Sequence, residues 1–179
     1  GIVGLKPTYG RVSRAGAMAL SWSMDKIGPI CRSVEDCAIV LDAIAGPDGL
    51  DLAVVDAPFS YSAKTKLADL RIGYVKSLFD EDYPNRANDL ATLEKLRELG
   101  AELLPVDLPS IPAGSLGCIL TAEAAAAFDE LTRSNEDDRL VRQVKNAWPN
   151  TLRAARFIPA VEYIQANRAR TLLMREMEK

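Results

Sequence analysis

Residues 70–106 constrain the fold more than any other stretch. Leu70-Arg71-Ile72-Gly73-Tyr74-Val75 is a short run rich in strand formers, Leu90, Leu93, Leu96 and Leu99 recur at helical spacing up to Gly100, and Ala101-Glu102-Leu103-Leu104-Pro105-Val106 is a second strand-like run. Strand, helix and strand in that order predict a right-handed crossover, and with it an α/β fold in which helices are layered on a sheet. No glycine-rich loop joins the parts of the unit, so it offers no phosphate cradle and no nucleotide site.

On the N-terminal side, Gly1-Ile2-Val3-Gly4-Leu5 reads as a buried strand, and Lys6 to Ile30 as a long structured loop of the kind that lines sites. Ser33 then caps a helix with Glu35 and Asp36 in its first turn. Val34, Cys37, Ile39, Val40, Leu41 and Ile44 give that helix a broad apolar face, and Gly46-Pro47 ends it. Residues 46–68 read as an irregular connection. From Ser115 onward the pattern is helical, over Leu116 to Thr132, Asp137 to Ala147 and Pro159 to Glu178, with Pro159 in a first turn. The organisation is thus one partial domain over 1–179, comprising a strand, loop and helix at 1–46, the β-α-β unit at 70–106 and a mainly helical part at 115–179. The absence of an initiator Met, and a helical pattern that reaches Lys179 without a stop signal, predict a chain truncated at both ends.

Composition narrows the chemistry. With 48% hydrophobic and 26% charged residues, the chain can bury a core. A net charge of −3, with Lys and Arg dispersed among acids, leaves no basic stripe, which disfavours nucleic acid as a partner. No apolar run reaches bilayer-spanning length, so no membrane association is expected. There is no histidine, which removes a His-dependent triad, a His-assisted zinc site and a histidine general base from this chain. Cys31, Cys37 and Cys118 form no C-x-x-C pair and fit a reducing, cytoplasmic setting; no cofactor is expected.

Several residues are candidates for a site. Ser21, Ser23 and Lys26 lie close enough in sequence to suggest a Ser-Lys pair, but their plainer reading is a polar loop, which an Asp25–Arg32 pair would hold. Glu35, Asp36 and Asp42 carry carboxylates suited to Mg²⁺ or Ca²⁺, yet read more simply as a solvated helix face, so no metal site is assigned. Trp22 and Trp148 could line an apolar pocket but read more simply as partly buried packing, and Cys37 reads as inert packing on the apolar helix face. The mixed charges from Arg133 to Arg142 read as a solvent-facing helix. Arg153, Arg156, Arg168 and Arg170 read as surface arginines that could also shape a pocket rim or an RNA-facing surface.

The string from Gly1 to Arg14, GIVGLKPTYGRVSR, resembles a motif of the amidase signature family, and Met24-Asp25-Lys26-Ile27-Gly28-Pro29-Ile30-Cys31-Arg32-Ser33-Val34-Glu35-Asp36 continues it, with Met24 where the family usually has Leu. Glu123 to Phe128 and Asn167 to Arg170 are similar to later helices of the same family. The resemblance implies a mixed sheet covered by helices, and amide hydrolysis or amide-nitrogen transfer through serine acylation, with a lysine activating one serine through a second. In the family all three catalytic positions precede the equivalent of Gly1. Lys6 is therefore not the catalytic lysine, Ser13 is not the nucleophile, this chain holds no catalytic residue, and it is expected to be inactive alone. Its implied partners are a small-molecule amide, bound in the full-length parent, and itself or another protein through exposed apolar surface. Lys145-Asn146 stands where A subunits of tRNA-dependent amidotransferases usually carry an Arg-Arg pair, which favours a general amidase over a glutamine-specific subunit. The alternatives are a noncatalytic binding or assembly module, or part of an RNA-partnering amidotransferase A subunit.

Overall fold

The computed structural model describes residues 1–111 and 113–179, excepting the side chain of Ser115. In chain order its elements are strands β1 (Val3–Gly4) and β2 (Ile30–Cys31), helix α1 (Val34–Ile44), strand β3 (Arg71–Val75), helices α2 (Lys76–Asp80) and α3 (Arg86–Glu98), and strand β4 (Glu102–Val106). Helices α4 (Gly117–Ala127), α5 (Asp129–Arg133), α6 (Trp148–Ala155) and α7 (Ala160–Met177) follow, with short 3₁₀ turns at Leu67–Asp69, Ala113–Leu116 and Glu136–Arg139. They form two compact units, Gly1–Tyr61 with Ile111–Arg175, and Ser62–Ser110 with Glu176–Lys179. Among the described residues, no helix is long and apolar enough to cross a membrane.

In the second unit β3 and β4 pair in parallel, with Arg71 opposite Glu102 and Val75 opposite Val106, and α2 and α3 make the connection. Leu93 of α3 and Ala101 are its buried apolar residues, and the Tyr74 and Phe79 rings meet edge to face at 5.6 Å. Gly100, at φ +90°, takes the left-handed turn that lets the chain leave α3 for β4.

In the first unit β1 and β2 pair antiparallel, Val3 opposite Cys31. Gly28 lies just before β2, where a Cβ would stand 2.1 Å from the Leu5 carbonyl oxygen. Ser33 caps α1, its side chain accepting from Asp36 N–H at 3.0 Å, and Cys37, Ala38 and Leu41 are the buried face. The expected buried strand at Gly1–Leu5 is shorter and more open than the pattern implies. Only Val3–Gly4 is strand, and Ile2 is 74% exposed, because a two-residue partner covers one edge and, among the described residues, nothing covers Ile2. The α/β character is present, with the strands making separate two-stranded pairs, one antiparallel and one parallel.

Helices α4 and α6 pack on each other in this unit, and Ile119, Ala124 and Ala125 of the one and Leu152 and Ala155 of the other are buried. Three helical expectations resolve differently here. Leu116 to Thr132 is α4 and α5, broken at Phe128, whose backbone leaves the helical region (φ −107°, ψ 26°). Asp137 to Ala147 is not a helix. Asn135 adopts φ +60°, one 3₁₀ turn follows, residues 140–147 are irregular, and α6 starts at Trp148 with Pro149 in its first turn. The turn carries Asp137 inside, fully buried, so the charge run is not a solvated helix face. Pro159 to Glu178 corresponds to α7.

Candidate functional site

Helix α4 is apolar almost throughout, and Glu123 interrupts it on the buried side, 6% exposed. An ionised carboxylate in such a place is costly unless fully hydrogen-bonded. Four donors meet it: Ser21 Oγ at 2.5 Å, Ser23 N at 3.0 Å, Ser23 Oγ at 2.7 Å and Tyr163 Oη from α7 at 2.9 Å. Burial pushes the Glu123 carboxyl up, but the bonds from Ser21, Ser23 and Tyr163 outweigh it and hold the group below the usual glutamate range. The same contact, with burial, pushes the Tyr163 phenol above its ordinary value. Arg170, further along α7, donates to Ser23 Oγ at 2.7 Å.

The loop that carries Ser21 and Ser23 is braced from within. Asp25 Oδ2 accepts from Leu20 N at 2.8 Å and Ser21 N at 2.9 Å. The carboxylate expected to pair with Arg32 therefore binds loop amides instead, which lie four and five residues away. Lys26 Nζ donates to the Met24 carbonyl at 2.6 Å while both serine hydroxyls donate to Glu123, so no Ser-Lys pair is assembled. Between the serines, the Trp22 carbonyl accepts from Tyr9 Oη at 2.9 Å and Arg14 Nη1 at 2.5 Å. Arg14 is itself fixed by Asp51, Nε to Oδ2 at 2.7 Å and Nη2 to Oδ1 at 3.0 Å, and lies 4.8 Å from the Tyr9 ring centroid. The Arg14 hydrogen bond holds the Asp51 carboxyl well below the usual range, and Asp51 in turn raises the guanidinium.

These contacts build one wall of an open groove of about 760 Å³. Tyr9, Trp22 and Ser23 come from the loop, Ala122, Ala125 and Ala126 from α4, and Ala155, Ile158, Ala160 and Tyr163 from the segment spanning α6 and α7. Asp129 and Arg156 form an ion pair on its rim, and Arg133 binds the same carboxylate at 2.6 Å; both arginines, Arg133 first, lower the Asp129 carboxyl.

Of the remaining sequence candidates, Glu35, Asp36 and Asp42 are exposed on α1, Cys37 is buried and donates to the Val3 carbonyl at 3.5 Å, and Trp148 is half-exposed at the start of α6. Arg153 lies 2.6 Å from Asp137 and 2.5 Å from Asp138, Arg168 donates to Gln165, and Lys145-Asn146 is exposed in the irregular stretch. Arg156 and Arg170 thus reach the groove region, whereas Arg153 and Arg168 make other contacts. Sequence reasoning assigns no role to Glu123, Tyr163 or Asp137. For Glu123 a signal exists, a lone acid within the apolar run Ile119 to Ala127.

Residues 1–179 match the family model described as Amidase. Among curated relatives, the A subunit of the glutamyl-tRNA(Gln) amidotransferase from Thermus thermophilus is 42% identical over 130 residues, 71% of this chain and 28% of the relative. The chain therefore spans little more than a quarter of the length of such relatives. Among solved structures, a protein described as an amidase superposes with a TM-score of 0.74 at 26% identity, over 100% of this chain and 38% of that one. A protein from a complex described as vestigial, and as revealing the origins of an s-triazine catabolic enzyme, superposes with a TM-score of 0.79 at 28% identity, over 98% and 38%.

Proposed function

The chain belongs to the amidase family, and we propose from that premise that it is the substrate-holding portion of an enzyme that cleaves amide C–N bonds by serine acylation. The observation that carries this reading is the position of the groove. The loop that bears the family motif forms one of its walls, and Glu123 ties that loop to the helices opposite through four hydrogen bonds. A preorganised concave surface of this kind supplies binding and orientation, which an acyl-transfer reaction needs beside its nucleophile. In this reading residues 1–179 are one portion of a larger amidase domain. None of them is the nucleophile, the base or a metal ligand; no cofactor is required, and the setting is cytoplasmic.

The test is ammonia release from benzamide and glutamine, read against the intact mass of the polypeptide. A 19.5 kDa chain is expected to release none. A longer polypeptide with segments before Gly1 is expected to release ammonia, and a serine-directed phosphonate to stop it. Turnover by the 19.5 kDa chain, or phosphonate-insensitive turnover by the longer one, would overturn the reading. The partner expected beyond substrate is a second copy or another protein, covering apolar surface; nucleic acid and membranes have no counterpart in the charge pattern.

A further inference from the structure

Trp22 combines two properties that seldom occur together. Its backbone is fixed on both sides. Its carbonyl accepts from Tyr9 and Arg14, Ser21 and Ser23 on either side are bound to Glu123, and the Ser21 carbonyl accepts from Met24 N at 3.0 Å and Asp25 N at 2.8 Å. The residue is nevertheless 51% exposed and lines the groove. Here the chain has met the ordering cost beforehand and left the largest apolar side chain facing a cavity, which is how a preorganised recognition surface is made.

The charges around the groove say what kind of group fits. Among the described residues lining it, the charged ones are Glu123, Asp129 and Arg156, and each already has protein partners: Glu123 the two serines and Tyr163, Asp129 both Arg133 and Arg156. Of the arginines that brace the loop, Arg14 is paired with Asp51 and Arg170 donates to the Ser23 hydroxyl, and neither is among the described lining residues, which leaves Arg156, paired with Asp129, as the lining cation. A carboxylate-bearing ligand would have to break one of these pairs to be held, whereas a neutral one finds an alanine floor from α4 and α6 and two aromatic edges, Tyr9 and Trp22.

We propose that Trp22 is a ligand-binding residue, whose indole packs on the uncharged, apolar side group, aryl above all, of an amide seated in this groove, with Glu123 as the positioning residue that holds the indole there. The identity of the ligand as an amide rests on the amidase reading; the selection for a neutral, flat group rests on the geometry above. A ligand-observed NMR titration of the 179-residue chain with benzamide and with L-glutamine separates the two. Benzamide is expected to bind saturably, at least about tenfold more tightly than glutamine. Trp22→Ala is expected to weaken benzamide about tenfold or more, Trp22→Phe by about threefold or less. Glu123→Gln is expected to weaken it while circular dichroism stays native-like.

Equal or tighter binding of glutamine, no saturable benzamide binding, or indifference to Trp22→Ala would overturn the proposal. If benzamide binds as expected but benzyl alcohol, which lacks the amide, binds equally well, the Trp22 surface stands and the amidase reading of the groove loses its support. Because Trp22 is half-exposed, its substitutions leave the core intact, and Trp22→Phe controls for any loss of fold.

Discussion

At the scale of single residues, Glu123 joins the motif-bearing loop to α4 and α7, because it concentrates four donors on one buried carboxylate. Glu123→Gln keeps the shape but replaces an accepting oxygen by an NH₂ group that faces donors. The expected cost is about 2–3 kcal/mol, the penalty for stranding buried polar groups, and denaturant unfolding followed by circular dichroism measures it. The pH dependence has a definite sign. Glu123 is depressed in the folded chain, so its contribution is fully present above the unfolded glutamate value of about 4.3 and is lost as pH falls through the lower folded value. Stability of the parent chain should therefore decline on acidification in that window, and Glu123→Gln should flatten the decline. Asp51 acts in the same direction through Arg14. The Ser21 and Ser23 motif is visible in the sequence, but its partner lies about a hundred residues away. No local spacing reports a contact of that range, which is why the sequence suggests a short-range Ser-Lys pair and an Asp25–Arg32 pair in its place.

Among the elements, those whose signals are local are the ones the sequence predicts best. The Ser33 cap with its acidic first turn marks α1, and the leucine spacing that ends at Gly100 marks α3 between its two strands. The stretch after Asn135 fails for a physical reason. Charges at helical spacing are equally compatible with a turn, and what decides is the left-handed Asn135 together with the burial of Asp137 beside Arg153. The Trp148-Pro149 start of α6 is legible by the same first-turn proline argument that locates α7, yet the charge pattern points to a helix upstream of it. The difference matters because α6, and not a helix at 137–147, packs on α4. Leu152, 2% exposed, is a large apolar side chain buried on α6. Leu152→Ala is expected to cost about 3 kcal/mol, a buried leucine replaced by a cavity between two short helices. An equivalent truncation at Leu140, which is exposed in the irregular stretch, should cost less than about 0.5 kcal/mol. Comparing the two in urea distinguishes the observed helix placement from the one expected from the charges.

For the molecule as a whole, the decisive quantity is surface. The chain exposes 13034 Å², against roughly 8,500 Å² for a compact monomer of this mass, and roughly 10,000 Å² even when its two units are counted as separate bodies. Helix α1 shows where some of the excess lies. Cys37, Ala38 and Leu41 are buried, Cys37 against the Val3 carbonyl, yet Ile39, 64% exposed, and Val40 stand outside that buried face, and Ile2 and Ile30 are exposed on the β1–β2 segment. A helix apolar on both faces belongs inside a protein larger than the unit that carries it. The 179-residue chain is therefore expected to self-associate at micromolar concentration in sedimentation velocity, and to enhance the fluorescence of an apolar dye. Ile39→Lys places a charge in that surface without touching the buried face of α1, and should shift the distribution toward monomer while leaving stability in urea within about 0.5 kcal/mol of the parent. A parent chain that sediments as a monomer with no dye enhancement would mean that this surface needs no cover, and the expectation of a protein partner would fall with it. If instead the dye binds but Ile39→Lys changes nothing, association runs through another patch, and α1 loses its place as the contact.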